Sequence, residues 1–289
     1  MLFLLLLGAC QQEEDRADAY GNFESIDLLV SPEVQGRIIR FGAEEGDRLE
    51  KGQPVVVVDS TQLHLKKEQL QTGLASLNAR NRTLDAQVAA QQVQLENLER
   101  EQKRVENLFE KGAATSKQVD DMNGQVLLLK AQMAATASQK ASVRAERETL
   151  EIQIRQVEDQ LRRCVIINPA GGTILTKLKE EGEIALPGQP LYKLANLDEL
   201  ILRAYVSGDH LSKLEVGGPV TVRYDVPDGR EAVTGTVSWI SAQAEFTPKI
   251  IQTREERVSL VYAFKVRVPN GGALKIGMPG EVVFQSESQ

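Results

Sequence analysis

Histidine, cysteine and tryptophan are nearly missing from this 289-residue chain, which has two, two and one of them. His64 and His210 alone cannot build a His-rich metal centre or a nucleophile–base–acid triad. Cys10 and Cys164 stand far apart in unlike surroundings, which argues against a disulfide framework or a cysteine metal site. There is no excess of positive charge: the net charge of −7 argues against nucleic acid as main partner, since phosphate neutralisation needs surplus Lys and Arg. Neither a phosphate-cradling Gly-x-x-x-x-Gly-Lys nor a Gly-x-Ser-x-Gly elbow occurs. No catalytic, cofactor-binding or metal-ligating residue is therefore assigned, and no cofactor is expected. Proline, finally, is absent from Thr61 to Asn168, and that absence permits one very long helical segment.

The proline-free stretch has a seven-residue apolar repeat. Leu63, Leu70, Leu77, Leu84, Gln91, Leu98 and Val105 form one row, and Leu74, Val88, Leu95 and Phe109 a second. A return arm repeats the pattern with Val119, Val126, Met133, Ile154 and Leu161 beside Met122, Leu129, Val143, Leu150 and Val157. A heptad repeat held this long keeps one narrow seam facing a partner helix, so residues 61–163 read as an antiparallel coiled-coil hairpin. It turns near Lys111-Gly112-Ala113, and each arm extends roughly 70 Å at the helical rise. Such a rod has almost no core for a substrate; it is a spacer or a docking device.

The first ten residues, MLFLLLLGAC, run from large apolar to small residues and end on a cysteine. That order is a secretory signal too short to span a bilayer, and Leu7-Gly8-Ala9-Cys10 resembles a bacterial lipobox with Cys10 as the lipid anchor. Residues 11–24 read as a polar tether.

On either side of the rod the text turns to short β-strands, and it repeats. Gly36-Arg37-Ile38 matches Gly172-Thr173-Ile174, Glu45-Gly46-Asp47 matches Glu181-Gly182-Glu183, and Gly52-Gln53-Pro54-Val55 matches Gly188-Gln189-Pro190-Leu191. The step is constant, since 172 − 36, 182 − 46 and 188 − 52 all equal 136. Residues 25–60 and 164–197 are thus two halves of one unit, each too small to bury a sheet face alone. They must pack on one another around the hairpin's base. After residue 197, strand patterns around one short helix at Asp209–Leu214, with Asp209 as its cap, predict a small β-barrel over 198–289.

A Gly-x-Ile, Glu-Gly-Asp, Gly-Gln-Pro-Val pattern repeated and split by a coiled coil resembles the HlyD-family periplasmic adaptors, or membrane fusion proteins. The resemblance implies a mixed α and β, elongated fold: a helical hairpin inserted between two halves of a lipoyl/biotinyl-like barrel-sandwich hybrid, followed by a small β-barrel. It implies a non-enzymatic adaptor, a hexamer of copies, linking an inner-membrane transporter to a TolC-like outer-membrane channel in a Gram-negative periplasm. The absence of a further membrane-proximal domain points to an ABC permease and ATPase as the partner; a proton-driven (RND or MFS) pump or a lipid-anchored scaffold without transporter are the alternatives. Adaptors that dock on TolC-like channels carry Arg, Leu four residues on, and Ser seven beyond. Arg104 and Leu108 fit, and Thr115 followed by Ser116 supplies the hydroxyl across the Gly112 turn. Read blandly, Arg104 is a solvated charge, Leu108 a seam residue, and Thr115 or Ser116 the cap of the return helix. The polar stretch Ala244 to Arg257, with Phe246 and Lys249, is a candidate transporter contact or a long hairpin connection. A biotin or lipoyl carrier would need a lysine at the turn Val58-Asp59-Ser60-Thr61, and none is there. Trp239, among strand residues, reads as core.

Overall fold

The structure is a computed structural model that describes residues 17–227, 229–246 and 260–284. In chain order the elements are β1 (Ala19–Glu24), β2 (Asp27–Val30), β3 (Gly36–Phe41), β4 (Arg48–Leu49), β5 (Pro54–Val58), α1 (Thr61–Glu110), α2 (Ser116–Arg163), β6 (Val165–Ile167), β7 (Gly172–Lys177), β8 (Ile184–Ala185), β9 (Tyr192–Ala195), β10 (Glu199–Ser207), a 3-10 helix (Gly208–Lys213), β11 (Pro219–Val226), β12 (Gly229–Phe246), β13 (Leu260–Pro269) and β14 (Pro279–Phe284).

The two repeat halves do not merely abut; they interleave. One sheet has the order β2-β9-β7-β4 and the other β6-β5-β3-β8, so each takes two strands from each half. Shifting β3, β4 and β5 by the repeat step carries one sheet onto the other, and the connecting bonds obey the same symmetry. The Gly46 amide donates to Ile174 O as Gly182 donates to Ile38 O, both at 2.9 Å. Glu181 accepts from the Phe41 amide (2.7 Å) as Glu45 accepts from that of Lys177 (2.8 Å). The turn glycines are required by conformation and not by crowding: Gly46 and Gly182 have φ of 91° and 89°, yet a Cβ at either would meet nothing within 4 Å. Ile38, Val56, Val58, Ile174, Leu191, Tyr192 and Leu194 fill the space between the sheets.

Two polar features sit in this sandwich. The Tyr192 hydroxyl donates to buried Asn168 (3.2 Å), and burial pushes the phenol up to about 12. Lys177 lies over the Phe41 ring at 4.7 Å and holds Glu180 at 2.7 Å and Glu44 at 3.0 Å. Phe41 and Lys177 are repeat equivalents, as are Glu44 and Glu180, so this lysine clamps the halves near their pseudo-two-fold axis. The Glu180 hydrogen bond, outweighing partial burial, moves the ammonium above its ordinary value. Both groups keep their protons more tightly in the folded state, so their contribution is complete below the unfolded pKa and is lost as pH rises through the folded one. The sandwich should therefore lose stability between about pH 10 and pH 12. Lys177→Met should lower its melting temperature near neutrality and flatten that alkaline decline; thermal melts across the range check this.

Between β5 and β6 the chain leaves as the hairpin, whose arms have 50 and 48 residues, about 75 Å of helix. The Asp59 carboxylate accepts the Thr61 amide at 2.9 Å at its entry, and Arg163 at its exit binds Asp159 and Glu33. The seam follows the heptad rows, with Leu84, Leu95, Val126, Leu129, Val143 and Val157 buried. The return rows lapse where polar residues take seam positions: Thr136 is buried, and Lys140 reaches across to Asp85. Lys67–Glu158 (2.8 Å) and Lys130–Glu99 (3.0 Å) also tie the arms together.

Beyond the sandwich, six strands close a barrel in the order β1-β10-β13-β12-β11-β14. Here several expectations are corrected. The tether predicted over 11–24 ends sooner, because Ala19–Glu24 is a barrel strand between β10 and β14, so the barrel is not confined to 198–289. Ala244–Phe246 belongs to β12 and pairs with β13, not to a loop. Asp209 is in the first turn of the 3-10 helix and does not cap it. Trp239 is 42% exposed, with the Lys265 ammonium 5.6 Å from its ring. The barrel core is a cluster separate from the sandwich core and includes Phe23, Leu200, Leu202, Phe264 and Val282.

Candidate functional site

The hairpin tip gathers most of the residues singled out by sequence. Helix α1 ends because Gly112 takes φ +71°, a backbone state that ends helices readily only at glycine. Its amide donates to Phe109 O (2.9 Å) and that of Ala113 to Leu108 O (2.8 Å), using carbonyls the helix leaves free. Helix α2 begins with a capping box: Thr115 Oγ1 accepts the Gln118 amide (3.3 Å) while Gln118 Oε1 accepts the Thr115 amide (2.8 Å). The Thr115 hydroxyl thus has a structural task of its own. Thr115→Ala should cost about 1 kcal/mol and loosen the first turn of α2, with Thr115→Ser keeping it. Amide hydrogen exchange at Lys117 and Gln118 reads this directly. Ser116 is exposed beside it.

Arg104 stands one turn before Leu108 on α1, its guanidinium 2.9 Å from Glu101 and its side chain 70% exposed. Leu108 is 41% exposed and Phe109 46%. The seam rows had placed Phe109 between the helices. The last apolar cluster of the rod is Leu95, Val126 and Leu129 with Leu98 and Met133, and Val105, Val119 and Met122 beyond it are half-buried. Past them the arms have no further layer to offer, so Phe109 lies open beside Leu108. Sequence reasoning missed it as a site residue; the signal available was that a heptad position next to the turn has no partner position across it. The tip thus exposes two successive large apolar side chains, with an arginine one turn away.

The other predicted positions are not brought to this site. Cys10 and Lys249 lie outside the described residues, as does the side chain of Phe246, whose backbone ends β12 opposite Leu260. Cys164 is a buried free thiol where α2 meets β6; burial first, and Asp59 second, push its pKa up. No helix among the described residues is long and apolar enough to cross a membrane.

Comparison with known proteins bears on the rod and on the whole chain. The family described as "AprE, long alpha-helical hairpin" matches residues 53–166. The UPF0194 membrane protein of Yersinia enterocolitica is 27% identical over 303 residues, which cover 95% of this chain and 91% of that protein. The crystal structure of MacA from Actinobacillus actinomycetemcomitans has a TM-score of 0.59 at 20% identity, covering 91% of this chain and 76% of that one. The periplasmic adaptor protein EmrA has a TM-score of 0.54 at 17% identity, covering 93% and 98%. The architecture here, a long helical hairpin flanked by β-domains with a six-stranded barrel, is the fold of these adaptor and membrane fusion structures.

Proposed function

We propose that this chain is the periplasmic adaptor of a tripartite efflux or secretion assembly. It would join an inner-membrane transporter of the ABC type to a TolC-like outer-membrane channel, with six copies forming the conduit and Cys10 carrying the lipid that holds each one at the membrane. The observation that carries this reading is the tip: Leu108 and Phe109 exposed at the end of a rod about 75 Å long, on a base built of a sandwich and a barrel. A scaffold that only spans distance has no use for two large apolar side chains at its solvated end, whereas a docking element does. Arg104, Leu108, Thr115 and Ser116 would face the channel, and Phe246 at the end of β12, with Lys249 beyond it, the transporter. The chain itself would catalyse nothing. It would seal the conduit and pass the transporter's conformational cycle to the channel through contacts that differ between transporter states.

The test is crosslinking in intact membranes, affinity capture, and mass spectrometry of what is retained. Recovery of an ABC permease or ATPase with an outer-membrane channel supports the reading. Recovery of a proton-driven pump replaces the transporter class. Recovery of neither, with the protein still lipidated, leaves a membrane-anchored scaffold.

A further inference from the structure

Tryptophan and tyrosine are scarce in this chain, one and five residues, yet three of these six meet on one side of the barrel. Tyr20 of β1 and Tyr205 of β10 lie directly opposite each other in the ladder. Two residues along the strands, roughly 7 Å, Trp239 lies opposite Lys265 and Lys265 opposite Arg203. Tyr20 is 57% exposed, and the Trp239 ring stands 5.6 Å from the Lys265 ammonium. Arg203 is engaged by Glu245 at 3.4 Å and lies 5.9 Å from the Tyr205 ring. Lys265, by contrast, forms no ion pair among the described residues, and there the Trp239 indole and the Tyr20 hydroxyl have no hydrogen-bond partner. A strand needs none of this, since threonine or valine would hold the same outward positions. Across the barrel, β11 turns Pro219, Thr221, Arg223 and Asp225 outward, with no aromatic ring among them.

The position of these rings narrows what they meet. The barrel joins the sandwich at one end, where β1 leaves at Glu24 and β10 enters at Glu199. Its other end carries Ala19, Ser207 and Leu260. The chain reaches that free end from the N-terminus, and Cys10 precedes Ala19 by nine residues, at most about 30 Å of chain. Tyr20 lies one residue inside the free end, and Trp239 about 7 Å lower. Whatever holds the first ten residues therefore keeps this side of the barrel close to it. The residue types match the headgroup layer of a bilayer, where tryptophan and tyrosine rings lie between apolar and wet surroundings. A lysine stem crosses the same layer with its ammonium on the wet side.

We propose that this side of the barrel's free end rests in the headgroup layer of a phospholipid bilayer. Trp239 and Tyr20 enter the layer with their rings and donate to its ester and phosphate oxygens, and Lys265 pairs with phosphate. The inference rests on residues 1–10 directing the chain to a membrane, and it gives the adaptor a second hold there. An N-terminal attachment alone limits only distance. A second contact, on the barrel itself, also fixes which way the barrel faces, and with it the direction of the rod.

Trp239 is the chain's single tryptophan, so its fluorescence reports on this patch alone. The full chain is purified from membranes and reconstituted into vesicles of phosphatidylethanolamine and phosphatidylglycerol, with or without bromine on the acyl chains near the glycerol. Emission should lie to the blue of that in detergent-free buffer, and the brominated lipid should quench it. Lys265→Glu and Tyr20→Ser should melt like the parent, since both side chains point outward, yet lose most of the quenching and of the blue shift. Three results would overturn the proposal: no quenching by brominated lipid, quenching that both variants retain in full, or a blue shift that appears only when a transporter is reconstituted alongside, which would mean a protein contact. An unquenched Trp239 in a chain that still captures a transporter and a channel would overturn the lipid contact and leave the adaptor reading standing. A quenched Trp239 in a chain that captures neither would do the reverse.

Discussion

On the adaptor reading, Leu108→Ser should abolish export while the protein remains folded, and Arg104→Asp should do the same. Neither side chain supports the rod: Leu108 is 41% exposed, and among the described residues Arg104 pairs with Glu101 on its own helix. Surface changes of this sort usually stay within about 0.5 kcal/mol of the parent's stability. An apolar anchor seated in a partner's groove is another matter, where truncation typically costs 2 kcal/mol or more, roughly a thirtyfold loss of affinity. Replacing an arginine by an acid adds repulsion if the groove is acidic, so the charge reversal should exceed a simple truncation. Phe109→Ala should fall in the same class, since its ring is as open as Leu108. Thr115→Ser should retain export, because it keeps the hydroxyl and the cap. Crosslinked capture of the channel, beside a thermal melt of each purified variant, separates docking from folding. Normal capture by both Leu108→Ser and Arg104→Asp would sink the docking assignment.

The hairpin was legible because its order is local: rows of leucine and valine seven apart need only a facing arm to become a seam. Where the rows lapsed, the chain itself supplied the reason, with Lys140 and Thr136 standing in seam positions. The repeat was legible for a different reason, since identical turns announce themselves at any distance. That the halves would interleave was not, because a repeat says which strands are equivalent and nothing about which of them pair. The ladder joining β2 to β9 links Asp27 to Ala195, a contact that no local pattern records. The same limit hid β1. Its sequence, AYGNFE, turns only Ala19 and Phe23 fully inward and otherwise reads as polar tether. It becomes a strand because β10 and β14 offer it open edges on both sides. At the tip, Phe109 continued a row whose partner helix had already turned away, so periodicity persisted one step past the packing that gives it meaning.

Phe23→Ala should unfold the barrel at a much lower temperature and leave the sandwich nearly unchanged. The ring is fully buried, beside Leu202, and crowds Gly280 so closely that a Cβ there would lie 3.0 Å from it. Its amide donates to Met278 O and its carbonyl accepts from Gly277, at 2.9 and 2.7 Å, so the residue also fixes the loop that leads into β14. Removing so large a side chain from a closed core typically costs about 3–5 kcal/mol. That is a large share of the stability of a small domain. The loss should stay within the barrel because its core and the sandwich core are separate clusters, and the chain passes between them in two short steps, from β1 to β2 and from β9 to β10. Calorimetry should then resolve two transitions, with Phe23→Ala lowering one of them and Val56→Ala, in the sandwich, lowering the other. A single transition that moves as a whole in both variants would mean the domains melt as one unit. In that case the Arg48–Asp198 bridge (2.7 Å) between β4 and the start of the barrel, and the packing around it, would couple them more tightly than their separate cores suggest. Such coupling would also make the sandwich, and the rod rooted in it, respond directly to anything that strains the barrel.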